Sequence, residues 1–155
     1  MSSEIIAALI QVVAAVIIAV GGGLITARYS RHSKEIADDQ MLKELFTEFN
    51  NEYGKLHKKL TEVEEKYSTT EKLNAAHNAE ELKHSIKLYF ILCSEEFFWY
   101  YHKHRIDKKI WDSWQSGMLY WYSVPAIREL WEEEVKESGK SSYYITDEKE
   151  FFVRT

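Results

Sequence analysis

One cysteine, one proline and six glycines stand in the 155 residues of this sequence, and each scarcity removes a class of explanation. Cys93 alone makes neither an intrachain disulfide nor a thiolate cage, and its place in the apolar stretch LYFILC reads as a buried structural thiol. Half of the glycines, Gly21, Gly22 and Gly23, fall inside an apolar run and form no phosphate-cradling loop; close helix packing accounts for them. A net charge of −5 leaves no strongly basic face for a general DNA or RNA binder, so no long nucleic acid is expected as a partner. No serine or cysteine sits in a recognisable nucleophile elbow, so the chain is not expected to be an enzyme and implies no cofactor. His77, Glu81 and His84 share one helical face at ligand spacing. No second His or Cys set accompanies them, so they read as a solvated face, and no metal is expected.

What is present begins at the N-terminus, where residues Ile5 to Ala27, IIAALIQVVAAVIIAVGGGLITA, carry no charge. At about 1.5 Å per helical residue the run reaches roughly 34 Å, enough to cross a hydrocarbon core. Arg28, Arg31 and Lys34 crowd its C-terminal end and Glu4 its start, which places everything after it in the cytoplasm. A cleaved secretory signal would need a positive start and a shorter apolar stretch, and a soluble buried helix would need a polar face. The reading is a single-pass anchor over residues 1–32. Along it, Gln11, Ala15, Ala19 and Gly23 recur at intervals of four, giving one face of small residues with a single amide suited to self-association. The alternative is a chance alignment of residues common in membrane helices.

Beyond the anchor, Leu42, Leu45, Phe49, Tyr53, Leu56, Leu60, Val63 and Tyr67 recur at spacings of three and four, predicting an amphipathic stalk helix over 33–67. Neither Gly nor Pro interrupts it before Gly54, and its stripe suits packing within the domain or against copies of itself. Residues 68–155 read as an aromatic-rich helical domain. Thr70 or Asn78 is a candidate N-cap, and a helix follows from about Ala79 to His102 with Lys87, Glu95 and Glu96 interrupting one face. Asp107 caps a third helix with the stripe Ile110, Trp114, Met118 and Trp121. Pro125 starts a fourth through Ile127, Leu130, Trp131 and Val135, ended by Gly139. The aromatic tail SSYYITDEKEFFVRT lies across the bundle as a strand or a single turn. The fold class is all-α: one N-terminal transmembrane helix and a small cytosolic helical bundle.

The segment HKHRIDKK, residues 102 to 109, sets Lys103, Arg105, Lys108 and Lys109 against one Asp107 in an acidic chain, with His102 and His104 beside them. Phe97 to Tyr101 precede it, and Trp111 and Trp114 follow. Cations that meet phosphates thus adjoin rings such as Tyr101, Trp111 and Trp114 that stack on bases, the composition of a nucleotide-binding surface. The plainer reading is a solvated interhelix turn whose cations complement a helix dipole and whose rings are core.

The order of one span, a charged helix beginning LFTEFNNEY, a helix ending before RIDKKIWDSW, then LYWYSVPAIRELW and an aromatic tail resembles a family of small bacterial membrane proteins. It also resembles the membrane-anchored effectors of type III CRISPR defence gated by cyclic oligoadenylate. The resemblance lies in architecture and aromatic pattern and assigns no ligand residue one by one. It implies an inner-membrane protein with a cytoplasmic C-terminal domain and a homo-oligomer, a tetramer favoured, that binds cyclic tetra-adenylate. Its spans would act on membrane lipid to perturb the bilayer during phage infection. The alternative is a membrane-tethered helical adaptor that binds another protein and no nucleotide.

Overall fold

The computed structural model describes residues 3–147 and 150–153, with side chains from residue 28 onward except that of residue 138. Among the described residues the chain is helical, with no strand. It divides into two units, Met1–Glu44 and Leu45–Thr155. Helix α1, Ser3–Lys66, contributes to both. In the first unit the side chains of residues 28–40 are exposed, with His32 and Glu35 3.9 Å apart. Among the described residues no helix is long and apolar enough to cross a membrane. The expected span at 5–27, with Gln11, Ala15, Ala19 and Gly23, lies outside the residues described to side-chain detail.

The second unit takes in the last part of α1, then α2 (Thr70–Asn74), α3 (Ala79–Phe97), α4 (Lys108–Tyr122) and α5 (Pro125–Ser138). A π-helical turn, Phe98–His102, extends α3, and two 3₁₀ turns, Lys140–Tyr143 and Glu150–Phe152, follow α5. Helix α1 runs unbroken through nearly all of the stalk expected over 33–67, and Leu45, Phe49, Leu56, Leu60 and Val63 of its stripe are buried in the second unit.

Local chemistry explains most boundaries. The N-cap before α2 is Thr69, one residue ahead of the expected Thr70, and its side chain accepts from the Lys72 amide. Thr70 instead donates its amide (3.2 Å) and hydroxyl (2.5 Å) to Glu129 on α5, tying α2 to that helix. Asn78 precedes α3 without a capping bond from its side chain. Asp107 does cap α4, accepting from the Lys109 amide at 2.8 Å. Pro125 opens α5, and Gly139 ends it at φ 78°, a conformation that glycine adopts without strain.

The stripe of α4 is displaced from expectation. Trp111, Gln115, Met118 and Trp121 are its buried residues, while Ile110 and Trp114 are half-buried. A hydrophobic pattern passes over Gln115, yet its amide donates to the carbonyls of Val153 (2.7 Å) and Phe151 (3.5 Å), and so pins the tail. The tail resolves as turn rather than strand, with Phe151 and Phe152 buried against Trp131 and Phe90. Cys93 is buried. Nearby, Lys87 pairs with the buried Glu134 at 2.6 Å, and Tyr143 donates to the same carboxylate at 3.0 Å.

Replacing Leu60, fully buried, with Ala should cost about 2–5 kcal/mol of unfolding free energy. Ile36→Ala, at an exposed site in the first unit, should stay within about 0.5 kcal/mol. Urea denaturation of the full chain in detergent measures both, and equal losses would remove the end of α1 from the core.

Candidate functional site

The basic segment forms an exposed turn between α3 and α4. Its backbone is shaped by the π-helical turn: the Lys103 amide donates to Phe98 O and the Arg105 amide to Trp99 O, each at 3.1 Å. The helix expected to run regularly to His102 instead widens after Phe97, where consecutive aromatic side chains must find separate places. His104 then reverses the chain at φ 51°, a left-handed conformation, and Ile106 is buried as the anchor of the turn.

The turn brings together seven of the nine expected ligand residues: Tyr101, His102, Lys103, His104, Arg105, Lys108 and Lys109 are all exposed. They are not equally available. Lys103 Nζ lies 5.2 Å from the centroid of the Phe98 ring, a cation–π distance. Lys108 Nζ donates to both oxygens of Asp112, at 2.7 and 2.9 Å, and that hydrogen bond raises its pKa. His102 Nε2 donates to the Tyr144 carbonyl at 3.2 Å. The Tyr101 ring stacks on Phe97 at 5.2 Å and stays half-exposed.

The two tryptophans depart from expectation. Trp111 is 1 % exposed, with the Tyr100 ring stacked on it at 4.7 Å and 4°, so it supports the turn from below and offers no face to a base. Because α4 begins at Lys108, residue 111 falls on the inner side of its first turn. Trp114 packs on Phe46 (5.2 Å) and Phe49 (5.6 Å) of α1, away from the cations. In the same way Glu81, one of the three residues at metal-ligand spacing, is ion-paired with Lys59 at 2.8 Å.

A second feature lies between α1, α3 and α4: a pocket of about 170 Å³. Its walls include the rings of Tyr53, Tyr89 and Trp114, with Asn50 and Ser113 among its polar groups. Glu96 lines it and is only 8 % exposed. Burial pushes its carboxyl up to about 8, with the neighbouring Glu95 adding to the shift. Among the described residues Glu96 has neither a cation nor a hydrogen-bond donor as partner. Glu95 is itself raised by burial and by Glu48 and Glu52, so this side of the unit is acidic. Tyr53 is held by the Trp121 indole, which donates to its hydroxyl at 3.0 Å. The sequence shows Glu96 as a polar interruption of an apolar helix, and the signal for its burial is its place three and seven residues after Cys93 and Tyr89, on the face turned away from Glu81 and His84.

No family model, curated protein or solved structure matches the chain.

The Glu96 carboxyl sets a pH dependence with a definite sign. Its folded pKa lies above the unfolded value of 4.5, so the folded state keeps a proton that the unfolded state gives up. That contribution is full at low pH and lost as pH rises toward about 8, on the order of several kcal/mol. Unfolding free energy should therefore fall between pH 5 and pH 8.5, and Glu96→Gln should flatten the slope. A slope unchanged by the substitution would place the titration elsewhere.

Proposed function

We propose that this protein is a membrane-anchored receiver of an anionic nucleotide signal, with a cyclic oligoadenylate, cyclic tetra-adenylate first, as the ligand. One observation carries the reading: Lys103, Arg105, Lys108 and Lys109 share one exposed turn of an acidic chain, beside the half-exposed rings of Tyr101 and Tyr144. Cations at that spacing meet phosphates through charge-assisted hydrogen bonds, and a phenol ring stacks on a base. Trp111 takes the supporting role and leaves base contact to Tyr101. A symmetric oligomer would repeat the turn around a ring-shaped ligand, matching one cation cluster to each phosphate.

The run at 5–27 serves in this reading as the anchor, with Gln11, Ala15, Ala19 and Gly23 as the face through which spans associate. The ligand changes the membrane only by binding one arrangement of the spans more tightly than another. A tethered adaptor is the second reading, favoured by the exposed apolar pair Leu88 and Ile91 on the outer side of α3.

Replacing Arg105, Lys108 and Lys109 together with Ala should weaken cyclic tetra-adenylate binding by roughly 1.5–3 kcal/mol per charged hydrogen bond lost. Helicity should be unchanged. Titration calorimetry on the full chain in detergent reads the loss, and a triple variant that binds like the parent would leave the turn as a solvated connection. For the anchor, a reporter fused after Thr155 should score as cytoplasmic, and removing residues 1–34 should release the protein from membranes.

A further inference from the structure

We propose that the pocket between α1, α3 and α4 binds a small primary ammonium ion, held by the Glu96 carboxylate and walled by the rings of Tyr53, Tyr89 and Trp114. This site is separate from the basic turn and does not depend on the nucleotide reading.

A buried carboxyl without a partner destabilises the fold, and an amide or an apolar side chain of similar size would avoid the cost. Glu96 is 8 % exposed, lines an open pocket and meets no cation among the described residues. A group that supplies both positive charge and N–H donors would complete it. The surroundings select the same chemistry. Three aromatic rings line the pocket, and ring faces attract cations. The Asn50 carbonyl and the Ser113 hydroxyl, on exposed residues of the lining, can accept the ammonium hydrogens that Glu96 leaves over. A quaternary ammonium has no such hydrogens.

Size and field narrow the class further. A volume of about 170 Å³ is close to that of an engineered cavity of about 150 Å³ that holds benzene, so the ligand body is on the order of six non-hydrogen atoms. Glu48, Glu52 and Glu95 lie on the same side, drawing in a cation and repelling phosphate or carboxylate. A phosphate-bearing headgroup or a zwitterionic amino acid is therefore disfavoured. Gly117 also lines the pocket, in the interior of α4, where glycine costs about 1 kcal/mol against alanine. A Cβ built there meets nothing within 4 Å, so no packing neighbour demands a glycine. A side chain at this exposed position has open space to enter.

The groups acting on Glu96 are Tyr89, Cys93 and Glu95 of α3 and, through Glu95, Glu48 and Glu52 of α1; Tyr53 of α1 lines the same pocket, and α4 presents only uncharged residues. Ligand binding displaces the Glu96 proton, so affinity should rise about tenfold per pH unit up to about pH 8 and then level off.

The test is calorimetric titration of the full chain in detergent with n-butylammonium chloride, against sodium chloride at matched ionic strength. At pH 8 butylammonium should bind, while tetramethylammonium and butyrate should bind at least about tenfold more weakly. Glu96→Gln should lose at least about tenfold in affinity and the pH dependence with it. Gly117→Leu, which leaves Glu96 in place and fills the pocket, should abolish binding while the melting temperature is kept or raised. Silence of the parent chain at pH 8, or full affinity in either variant, overturns the proposal. If Glu96→Gln does not fold, Gly117→Leu and the parent's pH profile decide it.

Discussion

The Trp131 indole of α5 meets Phe90 of α3 at 5.0 Å, Tyr143 at 5.0 Å, Phe151 at 4.9 Å and Phe152 at 5.2 Å, so one ring serves α3 and both C-terminal turns. Edge-to-face and tilted pairs at such distances each add roughly 0.5–1.5 kcal/mol beyond the area they bury. Their larger consequence is geometric. With α3 fixed against α5, Phe97 at its end is also fixed, and its ring touches Phe151, Trp111, Tyr101 and His102. The pedestal of the basic turn is thus an extension of the core. The tail is held twice more, by Gln115 through two carbonyls and by Tyr143 on Glu134, so it closes the unit instead of fraying from it.

Charge is distributed against the simplest helix electrostatics. Lys103 and Arg105 follow the end of α3, where the dipole welcomes cations, but Lys108 and Lys109 open α4, where it repels them. Two acids offset that cost locally: Asp107 caps the helix, and Asp112, one turn on, chelates the Lys108 ammonium. Lys109 has no ion-pair partner among the described residues, so its charge is left to solvent. Four residues past Lys109, the same helix begins to line the acidic pocket. Cation-rich and acid-rich surfaces therefore share α4, and their fields have opposite sign.

The features legible in the sequence are those decided within a few residues. Asp107, Pro125 and Gly139 mark helix ends because capping and φ preference are local, and Cys93 reads as buried because its whole neighbourhood is apolar. The heptad-like stripe of α1 shows which of its residues are buried, yet its two packing partners, bundle or second copy, could not be separated by pattern alone. Trp111 suits both a ligand ring and a core ring in sequence, because cations adjoin it and helical spacing continues through it. Only the π-helical turn, which lays Tyr100 over it, shows that it is support. That turn has no sequence rule of its own.

Glu95 and Glu96 make the limit plainest. The two acids are neighbours and identical in type; a helical wheel over α3 sets Glu96 with Leu82, Ile86, Tyr89 and Cys93 and Glu95 with Glu81 and His84, but it does not show that a carboxyl on the apolar face stays without a partner. Whether Glu96 meets packed side chains or open space depends on α1 and α4, more than 30 residues before and some 17 after in the chain. Burial of Glu96 is a cost that the rest of the unit can carry because the core about Trp131 lies on another side of α3. The same separation lets a charge appear or vanish at Glu96 without unseating Phe90 or Phe97.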